Sequence, residues 1–271
     1  MALFTRAYTQ RVGPSFTEHV ELLAGHGQLA VTRLAGLPPK ARLAPDDATA
    51  HKVAHEHWAT VEIWSWSLEH RSAAWDQREA PAPPSDHASL LAGIAAEHAR
   101  LVTLLQNAGP DGPIDYFGQP GTCADLARLL AHETITLAHA ATAATGQPWH
   151  DLTPQVASDG VRQALSHWSS ADPQVAWRQQ PVAVHATDTG DEWYLAFPVD
   201  VDEFNGEYRL VAAAPPVAVL EGPAEEVLWW LHGWPIPDVS AVGAPEELRL
   251  LRQAFLQPDE PRPRRKWRWF S

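Results

Sequence analysis

Residues 123–145 read CADLARLLAHETITLAHAATAAT, and the fold of the whole chain is argued outward from them. Leu126, Leu129, Leu130, Leu137, Ala140 and Ala144 recur at helical spacing and form one apolar stripe. Gly121-Thr122-Cys123-Ala124-Asp125 leads into the helix, and Gly146-Gln147-Pro148 stops it. Glu133 stands on the apolar stripe. A carboxylate buried there alone is costly, so it requires a partner.

Three further segments carry the same signal. Phe16, Val20, Leu23, Ala30 and Leu34 mark a first helix interrupted by Gly25 and Gly27. Ala54, Trp58, Val61, Trp64 and Leu68 mark a second, with Pro45-Asp46-Asp47-Ala48-Thr49 offering its N-cap and first-turn carboxylates. Leu90, Ile94, His98, Leu101 and Leu105 mark a third, and the long loop after it, about residues 108–121, is expected to cover one end. Helices of this length in this number are what an up-down four-helix bundle requires. Beyond a short helix at Val156–Trp168, strand-like runs follow at Val182–Thr187, Glu192–Phe197, Tyr208–Ala212 and Val217–Leu220. Helices are expected after Pro223 and after Pro245. The expected fold class is an N-terminal all-α four-helix bundle over residues 1–150, a small α+β domain over 151–258 and a basic, Trp-rich tail over 259–271.

Composition narrows the function. The chain has 271 residues, 20 Lys+Arg against 33 Asp+Glu and a formal charge of -13, which repels nucleic-acid phosphates and anionic membranes. The single cysteine, Cys123, allows neither an internal disulfide nor a cysteine-rich metal site. The N-terminal residues show no signal peptide, and no apolar run approaches a spanning length, so a soluble cytoplasmic protein is expected. The 13 Trp outnumber the 7 Phe and 4 Tyr; they serve as core filling or line a pocket for a flat ligand. HExxH, GxSxG, a Gly-rich phosphate loop and an EF-hand loop are all missing.

The chemistry-bearing candidates are histidines and one carboxylate. His51 and His55 lie four apart and share a helix face, while His57 points elsewhere. His55 is the expected partner of Glu133, directly or through a shared metal, and His51, His55 and Glu133 are the candidate catalytic residues. His132 and His139 lie on a neighbouring face and are expected to be solvated or interfacial.

The chain resembles the mycothiol-dependent maleylpyruvate isomerase family of the DinB-like superfamily over nearly its whole length. His51-Lys52-Val53-Ala54-His55 resembles the family's His-x3-His element, whose second histidine binds a divalent metal, commonly zinc. His132-Glu133-Thr134 resembles the start of its Glu-x3-His element. Val184–Trp193 resembles the hairpin of its C-terminal domain, and Gly222-Pro223-Ala224 through Gly233 and Gly243 resembles its helical end. The resemblance implies a DinB-like bundle, mycothiol as thiol cofactor, and isomerase or thiol-transferase chemistry. It also departs from the family. Leu137 replaces the expected third ligand, and Ala140 replaces the aspartate three residues on. A rebuilt metal site would draw on His55, Glu133 and His139, or on His51. Without metal, the scaffold would serve an enzyme or binding protein for a small apolar or aromatic metabolite; a non-catalytic interaction protein is the third reading. A monomer or homodimer is expected.

Overall fold

A computed structural model describes residues 13–72, 74, 77–167, 169, 170, 172, 174–200 and 206–255. Among these, an α-rich region comes first and an α+β region follows. The expected tail at 259–271 lies outside the described residues.

Ser15 opens α1 (Phe16–Ala35) with a capping box. Its hydroxyl accepts from the Glu18 N–H, and the Glu18 carboxylate accepts from the Ser15 N–H at 2.6 Å. The helix runs through both glycines rather than breaking at them. Gly27 is used for close approach: a Cβ there would lie 2.5 Å from Nδ1 of the buried His98. Gly25 is exposed, and a Cβ there would meet nothing within 4 Å.

A two-strand ladder, β1 (Arg42–Leu43) and β2 (Ala48–Thr49), precedes α2 (Ala50–His70). The N-cap of α2 is Thr49, not an aspartate, and its first turn carries no acidic residue. Asp86 caps α3 (His87–Ala108). By length and composition α3 could cross a membrane, which the sequence had not suggested. Here it packs against α1 and α2, with Leu90, Ile94, Leu101 and Leu105 fully buried.

The stretch expected to be a loop is a hairpin, β3 (Pro113–Tyr116) with β4 (Gln119–Thr122). Its two turn residues, Phe117 and Gly118, both have positive φ, 55° and 79°, which matches the twist of the flanking strands. Asp115 supports the turn by accepting from the Gly118 N–H at 2.7 Å. Thr122 and Asp125 form a second capping box at the start of α4 (Cys123–Thr145), whose principal neighbour is α1.

The α+β region begins with α5 (Pro154–His167). Its sheet has the order β7-β6-β5-β8-β9, made of β5 (Val182–Ala186), β6 (Asp191–Ala196), β7 (Arg209–Leu210), β8 (Ala218–Gly222) and β9 (Ser240–Gly243). Only β5 and β8 run parallel among these pairings. β9 had no sequence counterpart. Two helices, α6 (Ala224–Leu231) and α7 (Pro245–Ala254), complete the region. No side chain of its own caps α6; Asp188 in the β5–β6 turn accepts from the Ala224 N–H at 2.9 Å instead. Its core joins α5, the sheet and both helices, and includes Ile135 from α4.

The two glycines of α1 should respond in opposite directions to the same substitution. Gly25→Ala is expected to raise stability by about 0.5–1 kcal/mol through helix propensity. Gly27→Ala should lower it by roughly 1–2 kcal/mol, because overpacking against His98 exceeds that gain. Urea unfolding of both variants decides the point; equal shifts would show that α1 and α3 do not touch at Gly27.

Candidate functional site

Three buried side chains meet where α1, α4 and α5 adjoin: His19, His132 and Asp159. Oδ2 of Asp159 is 3.0 Å from His19 Nε2 and 2.8 Å from His132 Nε2. Arg128, one turn before His132, places Nε 3.1 and 3.0 Å from the two carboxylate oxygens. Its Nη2 donates to the Asp159 carbonyl at 3.1 Å.

Local sequence explains how each group is delivered. His19 lies one turn before Leu23 on the inward face of α1. Arg128 and His132 are four apart on α4 and reach the same carboxylate. Two glycines leave room for this arrangement. A Cβ at Gly13 would lie 2.8 Å from Asp159 Oδ1, and one at Gly160 would lie 3.0 Å from His132 Nδ1.

Burial alone would push the Asp159 carboxyl up. The hydrogen bonds from His132 and His19 and the Arg128 charge outweigh it, and hold the group well below the usual carboxylate range. Burial lowers His132 despite its carboxylate neighbour. At neutral pH His132 is therefore an uncharged ring whose Nε2–H donates to Asp159, leaving Nδ1 without a hydrogen-bond partner among the described residues.

Two spaces lie nearby, and Asp159 lines the smaller of them. A small cavity of about 10 Å³ is lined by Gly13, Gln155, Ser158, Asp159, Arg162 and Asp191, among others. It has room for about one water. An open groove of about 580 Å³ runs along α1 and the start of α5, lined by Glu18, Glu21, Leu22, His26 and Val156 among others. Gly13 and Gln155 line both spaces.

The residues singled out from the sequence are not brought together in this way. His55 is exposed on α2, and Glu133 is half-buried on α4. His51 turns to His87 at the start of α3, with ring centroids 5.6 Å apart. Leu137 is buried in an apolar cluster with Ala54 and Trp58. His139 is clamped by tryptophans: it stacks on Trp229 at 3.8 Å and meets Trp234 and Trp149 edge-on at 4.7 and 5.0 Å. Glu225 fixes this clamp by accepting from Trp149 Nε1 at 2.7 Å and Trp229 Nε1 at 3.1 Å. These three tryptophans enclose a histidine rather than line an open cavity, and none lines the groove.

Among the described residues, His55, Glu133 and His139 do not form a group of three converging ligand atoms. One imidazole faces solvent, one is held between indoles and the expected third ligand is leucine. His132, expected at a solvated or interfacial position, is only 6% exposed. His57, set apart from His51 and His55 in the sequence, and His98, counted on the inward face of the third helix, meet in the core with Nε2 atoms 2.7 Å apart; His19 and Asp159 were not singled out. Their signal was a polar residue on an inward helical face, but no spacing links positions so far apart.

Burial governs the pH dependence. It pushes Glu133 up to about 8 from 4.5, so the folded chain keeps a proton that the unfolded chain has released. This contribution to stability falls as pH rises from 4.5 to about 8. Burial pushes His98, His139, His167 and His232 down to about 4 from 6.5. Their contribution rises between about 4 and 6.5 and is complete above that. Stability should then peak at about pH 7, where the last histidine gain balances the Glu133 loss, and decline above it. In Glu133→Gln the decline above the peak should vanish. Denaturant unfolding across this range measures both slopes, and identical slopes would show that the Glu133 carboxyl is ionised in the fold.

No protein-family model matches the chain, and no curated relative matches it. Two solved structures do. One is a point mutant of the mycothiol-dependent maleylpyruvate isomerase, with a TM-score of 0.59 and 10% identity over 84% of this chain and 93% of that one. The other is the unmutated mycothiol-dependent maleylpyruvate isomerase, with a TM-score of 0.56 and 12% identity over the same shares. At this identity the likeness is one of fold: the chain has the fold of these isomerase structures over most of its length.

Proposed function

We propose that this protein is an enzyme or binding protein for a small molecule, built on a DinB-like four-helix bundle, with its working site where α1, α4 and α5 meet. In this reading no metal is held at the α2–α4 position that the resemblance points to. The observation that carries it is that Gly13 and Gln155 line both the open groove and the small cavity beside Asp159. A ligand group reaching from the groove past Gly13 would approach the Asp159 carboxylate and the two imidazoles bonded to it, a set suited to general acid–base chemistry.

The similar solved structures are of a mycothiol-dependent enzyme, so mycothiol is the first ligand to test. Glu18 and Glu21 line the groove, and the Ser15 hydrogen bonds keep Glu18 ionised. Such a lining disfavours a dianion, so maleylpyruvate itself is not the expected substrate. A neutral or cationic electrophile suits the groove better.

Calorimetric titration with mycothiol should show saturable binding to the wild-type chain. Gly13→Val, which crowds the neck beside Asp159, should weaken it about tenfold or more, a loss of ~1.4 kcal/mol. Maleylpyruvate should give no saturable heat. Binding that is indifferent to Gly13 and lost in His55→Ala would return the working site to the α2–α4 position and overturn the proposal.

A further inference from the structure

We infer that His19 Nε2, His132 Nε2 and Asp159 Oδ2 form a site for one divalent transition-metal ion of the zinc class, displaced from α2–α4 to the α1–α4–α5 junction. This goes beyond the proposed function, which holds with or without the ion.

The first argument is convergence. Two imidazoles from different helices aim the same ring nitrogen at one carboxylate oxygen, at 3.0 and 2.8 Å. The three atoms lie within 4.8 Å of one another, and all three residues are buried. A tetrahedral zinc ion with ordinary bond lengths holds its ligand atoms ~3.4 Å apart. The two nitrogen–oxygen separations need to widen by only about half an ångström to admit one. Rotation of side chains already in place supplies that.

The second argument is the donor set. Two imidazoles and one carboxylate are a common protein share of a metal site that keeps an open position. Here the small cavity beside Asp159 provides space for a further ligand such as water.

The third argument is outer support. Arg128 bonds the carboxylate and its backbone carbonyl, which fixes the direction of Oδ2. Its charge opposes the ion, and metal binding moves the His132 proton to Nδ1, where no partner waits among the described residues. Both effects cap the affinity without blocking the site.

The test uses the full chain, stripped with chelator and then titrated with Co²⁺ under visible absorption and with Zn²⁺ in calorimetry. One equivalent per chain is expected, with d–d bands of a low-coordinate cobalt site. His132→Ala and Asp159→Asn should each lower the affinity about 100-fold or more. His19→Cys guards against variants that fail to fold: it should keep binding and add a thiolate-to-cobalt charge-transfer band. No uptake by the wild-type chain overturns the inference, as does uptake that ignores these residues and is lost in Glu133→Gln. Mycothiol binding that still depends on Gly13 in the metal-stripped chain would sustain the proposed function even then, so the two readings fail separately.

Discussion

The Asp159 carboxylate is the constraint on which the rest of the molecule depends. It is 3% exposed, and leaving a charge so far from water without partners would be strongly destabilising. Three groups from two other helices answer it: His19 from α1, and Arg128 and His132 from α4. Because Asp159 itself belongs to α5, satisfying the charge docks the α+β region on the helical region. Removing one partner of a buried ion pair typically costs about 3–5 kcal/mol, comparable to a sizeable part of a domain's net stability. The same interaction therefore joins the two regions and creates the buried His19–Asp159–His132 cluster.

A second seam runs parallel to the first along α4. Arg128, His132, Ile135 and His139 fall at helical spacing and line one face of that helix. Arg128 and His132 meet Asp159, Ile135 enters the core of the α+β region, and His139 enters the clamp of Trp149, Trp229 and Trp234. Glu225 ties this clamp to the connecting segment by also accepting from the Leu152 N–H at 2.8 Å. The opposite face of α4, through Leu126, Leu130, Leu137 and Ala141, belongs to the helical cores. One helix thus serves two cores, which is why so many of its residues are buried and why its polar residues carry such constrained environments.

Several of the described tryptophans belong to this seam and to the small α+β region. Trp229 and Trp230 sit in its core, and Trp149 and Trp234 pack against it. Trp64 instead meets Tyr116 and Phe117 of the β3–β4 hairpin, with ring centroids 6.4 and 5.5 Å away. Each broad indole covers a junction that a smaller side chain would leave open. Core filling, one of the two uses expected of the tryptophans, accounts for these, and the groove is lined by α1 and the start of α5.

The helices at residues 16–35, 50–70, 87–108 and 123–145 were legible because their signals are local: apolar spacing, caps and Gly/Pro stops. The β5–β6 hairpin was legible for the same reason, while β9 was too short and too polar to announce itself. The sequence pointed to one buried carboxylate in need of a partner, Glu133 with His55, and the structure shows another, Asp159, whose partners it names. Glu133 was noticed because it interrupts a leucine stripe, yet the paired carboxylate is Asp159, set among small residues whose burial only docking reveals. His19 and Asp159 are separated by 140 positions, and His132 and Asp159 by 27. Sequence by itself determined where the four long helices and the β5–β6 hairpin start and stop, since backbone and near-neighbour side chains decide that. Which histidines share a carboxylate, and which are sealed between indoles, was decided only by tertiary structure, because desolvation and charge pairing act between groups that the chain brings together last.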